Sequence, residues 1–216
     1  MIYQSIADIY AANDTVRRRL TERVENLTEA QQTFRPAEGV WSIAEIIDHL
    51  SITEQNMVQL IGMLLKKSED GITAATAATD AATDAATDTG RSDDGGDSGE
   101  AQTGAGAQPF QPFSLDNFLA QVEDVKLTAP ERVRPGGNVT LADALDALRR
   151  TRAALEDLRP RLESADLGAA TYPHPAFGEF NSAQWLAFIG LHEGRHLRQI
   201  ENLMAAPNFG NSESSA

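Results

Sequence analysis

Four separate stretches of this chain carry apolar residues at helical spacing, and no stretch alternates convincingly with the period of two that a strand requires. The first, about Ile2 to Asn26, has Ile2, Ile6, Ile9, Val16, Leu20 and Val24 on one side, with Arg17, Arg18, Arg19 and Glu22 largely on the other. The second, about Ser42 to Lys67, opens on the capping box Ser42-Ile43-Ala44-Glu45 and continues through Ile46, Ile47, Leu50, Met57, Leu60, Ile61 and Leu64. Lys66 and Lys67 suit the negative end of its dipole. The third starts at Thr140, a cap with Asp143 at the third position, and runs through Leu141, Leu145, Leu148 and Leu155 to about Leu158, with Pro160 near its end. The fourth, capped by Asn181 or Ser182, runs to about Met204. Four long helices, each with one face to bury, predict an all-α four-helix bundle.

The connections predict its topology. Thr28-Glu29-Ala30-Gln31 can start a short helical turn, which Pro36 and Gly39 end. Residues 69 to 108 differ in kind: Ala-Ala-Thr-Asp repeats, then Gly, Ser, Asp and Gln, with almost no aromatic or large aliphatic residue. Such a segment buries too little surface to offset its ordering entropy, so a disordered acidic insert is expected there, with room for transient helix among the alanines. It interrupts a single domain spanning 1–205; a flexible tail, 206–216, follows. A crossover of that length between the second and third helices lets them run parallel instead of as a hairpin. After it, Ser114 to Val125 suits a short helix, while Pro130, Pro135, Gly136-Gly137 and Tyr172-Pro173-His174-Pro175 read as loop.

The net charge is −14, but between Glu69 and Glu100 there are nine acidic residues and one basic, Arg91, so eight of those fourteen charges lie in the insert. Nucleic-acid binding, which demands clustered Lys and Arg, is disfavoured. No apolar run approaches the length of a membrane span, and no basic amphipathic face suits a membrane surface. The N-terminus has no basic region followed by an apolar stretch, so no signal peptide is expected. There is no cysteine. Disulfides and thiolate metal ligands are excluded, and a reducing cytoplasm is the expected location.

The chemistry concentrates in four histidines: 49, 174, 192 and 196. His192 and His196 are four apart, on the stripe formed by Trp185, Phe188, Ile189, Ile200 and Leu203, so both imidazoles point inward from one helix face. His49, three residues after Ile46, faces or borders the core from the second helix. Each imidazole can be a core residue bonded to a backbone carbonyl. Two side by side, however, leave polar nitrogens needing partners, at about 1–3 kcal/mol for each one unmet, and a shared divalent metal meets both needs. His49 would complete a three-imidazole site with a position open for water or substrate.

His192-Glu193-Gly194-Arg195-His196 also fits the H-E-x-x-H pattern of zinc proteases. That reading needs a third ligand downstream, yet no histidine follows His196, and Glu201 lies roughly 140° round the helix from it. Glu193 sits about 100° from His192, which favours a solvated or salt-bridging role over work as a base. His174 is a lesser candidate for a place beside the substrate. Gln199, one turn past His196, can bond a ligand imidazole. Trp41 and Trp185 read as packing residues, and Arg195 and Arg198 as surface groups.

The run from Trp41 to Leu50 (WSIAEIIDHL) resembles the second-helix signature of the DinB/YfiT-like proteins. The segment His174 to Phe180, then Gln184-Trp185 and His192 to Ile200, resembles their C-terminal signature. The resemblance covers most of residues 1–67 and 110–205; the acidic insert departs from the family's compact length. It implies a four-helix bundle with a long crossover, often dimeric. It also implies a divalent metal, often zinc or nickel, on three histidines matching His49, His192 and His196. Characterised relatives include transferases and isomerases that use bacillithiol or mycothiol.

The resulting expectation is a metal-dependent enzyme. Its three-histidine site would activate water or a small-molecule thiol cosubstrate for transfer, isomerisation or hydrolysis of a small-molecule substrate. The alternative is a non-catalytic metal-binding or dimerisation bundle, such as a stress protein.

Overall fold

A computed structural model describes residues 1–86, 110–116, 129–137, 139–174 and 177–210, with the side chains of 72–86 left aside. Within it the four long helices are α1 (Ile6–Val24), α3 (Ile43–Ala86), α4 (Leu141–Ser164) and α5 (Ser182–Met204). The short α2 (Glu29–Thr33) lies between the first two. The caps read from the sequence form. Thr28 with Gln31 and Asn181 with Gln184 make reciprocal capping boxes, and the Ser42 and Glu45 side chains satisfy each other's backbone N–H. Thr140 accepts from the Asp143 backbone at 3.1 Å.

The bundle runs up, down, down, up. Leu141, Leu145 and Leu148 of α4 pack with Ile43, Ile46, Ile47 and Leu50 of α3 at one end. Ser68 and Glu69 meet Asp166 and Arg161 at the other, so α3 and α4 are parallel, as the long crossover allows. On α1 and α5, Asn13 meets Leu186 and Arg23 meets Glu201, so those two helices are parallel as well.

Several boundaries differ from the sequence reading. The first helix starts at Ile6, not Ile2, because the Ser5 hydroxyl caps it by accepting from the Asp8 N–H; Ile2 and Tyr3 form a strand, β1, paired antiparallel with β2 (Phe113–Ser114). The loop read at Tyr172 is instead a hairpin, β3 (Thr171–His174) with β4 (Gly178–Asn181), and Gly178 takes φ 80° at its turn. Strands of two and four residues are too short to show alternation, and Pro173 is tolerated because a two-stranded ribbon is all edge. The third helix passes Pro160 and ends at Ser164, held there by buried Leu162 and by Arg161 against Glu69. The second continues past Lys67 to Ala86, so the first half of the segment expected to lack structure has helical backbone. Ser68 Oγ donating to the Asp166 carbonyl carries the helix over the boundary, and alanine, the strongest helix former, extends it. Residues 87–108 of the insert, most of the Ser114–Val125 helix and the end of the tail lie outside the described residues.

Two apolar clusters fill the bundle. One holds Ile9, Tyr10, Met57, Ile61, Leu155, Phe180, Trp185 and Ile189; the other holds Leu20, Ile43, Ile46, Leu50, Leu145, Leu148, Leu197 and Ile200. Between them lies a polar layer made of Asn13, His49, Glu54, Glu193 and His196, all buried. Asn13 Nδ2 donates to the Leu186 carbonyl at 2.9 Å, and α1 approaches α5 there closely enough that a Cβ on Gly190 would stand 2.2 Å from Asn13 Oδ1.

Candidate metal centre

The stripe on α5 and the inward face of α3 bring His49, His192 and His196 together. One ligand nitrogen from each lies within 4.8 Å of the others, and among the described residues these three form the group of donors. Ring centroids are 5.2 Å apart for His49 and His192, 4.9 Å for His49 and His196, and 4.6 Å for His192 and His196. The Nε2 atoms of His192 and His196 stand 3.2 Å apart. Two metal–nitrogen bonds of about 2.0–2.1 Å would put the nitrogens roughly 2.9 Å apart at a right angle and roughly 3.4 Å apart at the tetrahedral angle, so the observed spacing fits one shared ion.

Tautomers follow from the outer partners. His49 Nδ1 is 2.7 Å from the Val133 carbonyl, which can only accept, so Nδ1 carries the hydrogen and Nε2 keeps its lone pair. His196 Nδ1 lies 2.9 Å from Gln199 Oε1, an amide oxygen, with the same result. The expected bond from Gln199 to a ligand imidazole therefore exists. Burial lowers the proton affinity of all three rings. For His49 burial outweighs the Val133 bond and nearby Asp48. His192 falls well below the ordinary imidazole value, through burial and then its neighbouring imidazoles. His196 falls to about 4 for the same two reasons, against the Gln199 bond. Near neutral pH all three rings are uncharged; His49 and His196 keep an Nε2 lone pair, His192 Nε2 stands beside that of His196, and the group can hold a metal ion.

His174 does not join them. Its ring stacks on Phe177 at 4.4 Å and meets Phe188 edge-on at 4.6 Å; Phe188 in turn lies 6.0 Å from the His192 ring. Burial alone brings His174 to about 4. Trp41 packs 5.0 Å from the His49 ring, and Trp185 Nε1 donates to the Tyr172 carbonyl, so both tryptophans pack as expected.

Of the solvated and salt-bridging roles favoured for Glu193, the structure shows the salt bridge. Glu193 is buried and accepts from Arg17 Nε at 2.5 Å, while Arg17 Nη2 donates to buried Glu54 and Nη1 to the Leu148 carbonyl at 3.0 Å. Burial raises the Glu193 carboxyl to about 7, against the pull of Arg17, and raises Glu54 as well. One arginine thus ties α1 to α3, α4 and α5 immediately behind the histidines. A crevice too narrow for a water molecule, lined by Glu54, Glu193, His192, Leu50, Met57 and Ile189, lies between the two groups. Arg17 and Glu54 were missed as functional residues, yet Glu54 interrupts the stripe Leu50, Met57, Ile61, and Glu193 falls on the line of Leu186, Leu197 and Ile200; both spacings mark inward carboxylates that need a cation.

Fold and site together define a helical bundle with a three-imidazole centre in its polar middle layer. Residues 12–200 match the family model of the DinB superfamily, and the chain belongs to that superfamily. A crystal structure described as "TT2238, a four-helix bundle protein" is similar over 92% of this chain and 99% of its own, with a TM-score of 0.52 and 16% identity, a likeness that concerns the fold alone. No curated protein matches. Among the described residues no helix is long and apolar enough to cross a membrane.

Proposed function

We propose that this protein is a divalent-metal enzyme in which His49, His192 and His196 hold the ion and a small-molecule thiol or water takes the open position. The observation that carries the reading is the 3.2 Å approach of the His192 and His196 Nε2 atoms, with His49 completing the group. Three donors instead of four among the described residues support catalysis over a closed structural site. An ion there would lower the pKa of the bound thiol or water and present a nucleophile at neutral pH. The chain's own part is to keep the three rings neutral by burial, to fix two of their tautomers through Val133 and Gln199, and to hold α5 in register through Arg17 and Glu193. With no cysteine in the chain, a thiol would enter as cosubstrate. Zinc and nickel both suit three imidazoles.

The test is a cobalt(II) titration followed by addition of a low-molecular-weight thiol. A sulfur-to-cobalt charge-transfer band in the wild type, absent in His49→Ala, supports the thiol reading. A cobalt site whose spectrum ignores both thiol and pH overturns the open position.

A further inference from the structure

The His49 ring is oriented by a backbone carbonyl from the far end of the crossover, and that carbonyl is itself held in place. Val133 belongs to a tight 3-10 turn, Glu131–Val133, closed by the Val133 N–H to Pro130 O (3.0 Å) and the Arg134 N–H to Glu131 O (3.1 Å). Three residues on, the Gly136 N–H donates to Asp48 Oδ2 at 2.8 Å. Asp48 is buried and adjacent to His49 in sequence. Consecutive helical residues point about 100° apart, so the returning chain is fastened at two points around α3, once to each side chain. Gly137 follows at φ 77°, a conformation that suits glycine and turns the chain away.

We infer that Asp48 is a positioning residue for the metal centre: by accepting from Gly136 it seats the 130–137 turn, so that the Val133 carbonyl fixes the His49 tautomer and leaves Nε2 for the ion. The inference rests on the proposed metal site. It makes metal binding and seating of the turn reciprocal, since whatever favours the Nδ1–H form of His49 strengthens its bond to Val133. Outer partners of metal-bound histidines are typically worth 10–100-fold in metal affinity, and Asp48 acts one step further out, so the low end of that range applies.

The experiment compares zinc affinity and amide exchange in the untagged full chain and two variants. Asp48→Asn keeps an acceptor for Gly136 and loses the charge; Asp48→Ala loses both. The expected result is near-wild-type zinc affinity for Asp48→Asn and a loss of about 10-fold for Asp48→Ala, with faster exchange at residues 131–137 in the latter only. In the wild type, zinc should slow exchange at Val133, Arg134 and Gly136 relative to the β3–β4 hairpin. Equal affinity in Asp48→Ala overturns the inference. So does an equal loss in both variants, which would assign the effect to charge. If Asp48→Ala does not fold, the wild-type exchange decides: no zinc-dependent protection of the turn overturns the coupling. A wild type that binds no zinc or other divalent ion overturns the metal reading beneath it and the inference with it; that result is read in the first titration, before any variant is compared.

Discussion

Arg17→Met removes the cation that two buried carboxylates both hydrogen-bond, leaving Arg152 as the other positive charge that acts on them. The side chains of Glu54 and Glu193 are each 3% exposed and that of Arg17 16%, so water offers them little compensation. Breaking a buried pair from one side typically costs 3–5 kcal/mol, because a charge is left uncompensated; here two carboxylates and the Leu148 carbonyl lose a partner together. A loss of about 4 kcal/mol would be a large share of the 5–15 kcal/mol that stabilises an ordinary domain. At roughly 2–4 °C per kcal/mol for a chain of this size, the midpoint should fall by about 10 °C or more. The assays are urea and thermal denaturation of metal-free protein at pH 7.5, followed by far-ultraviolet circular dichroism. The triple variant Arg17→Met, Glu54→Leu, Glu193→Leu should recover most of the loss, since apolar replacement of a whole buried ion cluster is often neutral or stabilising. A loss below about 1 kcal/mol in Arg17→Met, or a triple variant no more stable than the single one, would refute the view that this arginine neutralises the polar layer.

Two other predictions concern stability. Gly190→Ala places a methyl group 2.2 Å from Asn13 Oδ1, so Asn13 must turn and give up its bond to Leu186 or α1 and α5 must separate; a loss of about 1–3 kcal/mol is expected in the same urea assay, and an unchanged midpoint would show that the contact yields freely. His174, held near 4 against an ordinary 6.5, is neutral in the fold while the unfolded chain takes up a proton as pH falls below about 6.5. Stability therefore drops between pH 6.5 and 4, and His174→Phe should remove at most about 2 kcal/mol of the loss between pH 7 and pH 5. Wild type and variant losing stability in parallel over that range would contradict it.

What could be read from the sequence divides by the range of the interaction. Helix starts are local: Ser42 with Glu45, Thr140 with Asp143 and Asn181 with Gln184 announce themselves within four residues, and all three form. The paired imidazoles are also local, as is Gln199, one turn beyond His196. Helix ends were less legible, because Lys67 and Pro160 are overridden by distant contacts, Ser68 with Asp166 and Arg161 with Glu69. The tie between Gly136 and Asp48 spans 88 residues and the approach of Arg17 to Glu193 spans 176, and no local pattern encodes either. Glu193 shows the division: its angular offset from His192 placed it off the histidine face and allowed a salt bridge, but the partner, Arg17 of α1, is too distant in sequence to be read.

In the proposed function His49, His192 and His196 hold one divalent ion. Its most direct test is the metal stoichiometry of untagged protein, purified without chelator and titrated with zinc and nickel, beside His49→Ala. One ion per chain is expected in the wild type, with most of that affinity lost in the variant. A wild type that holds no ion and gains none on titration, or a His49→Ala protein that binds as tightly as the wild type, would contradict it.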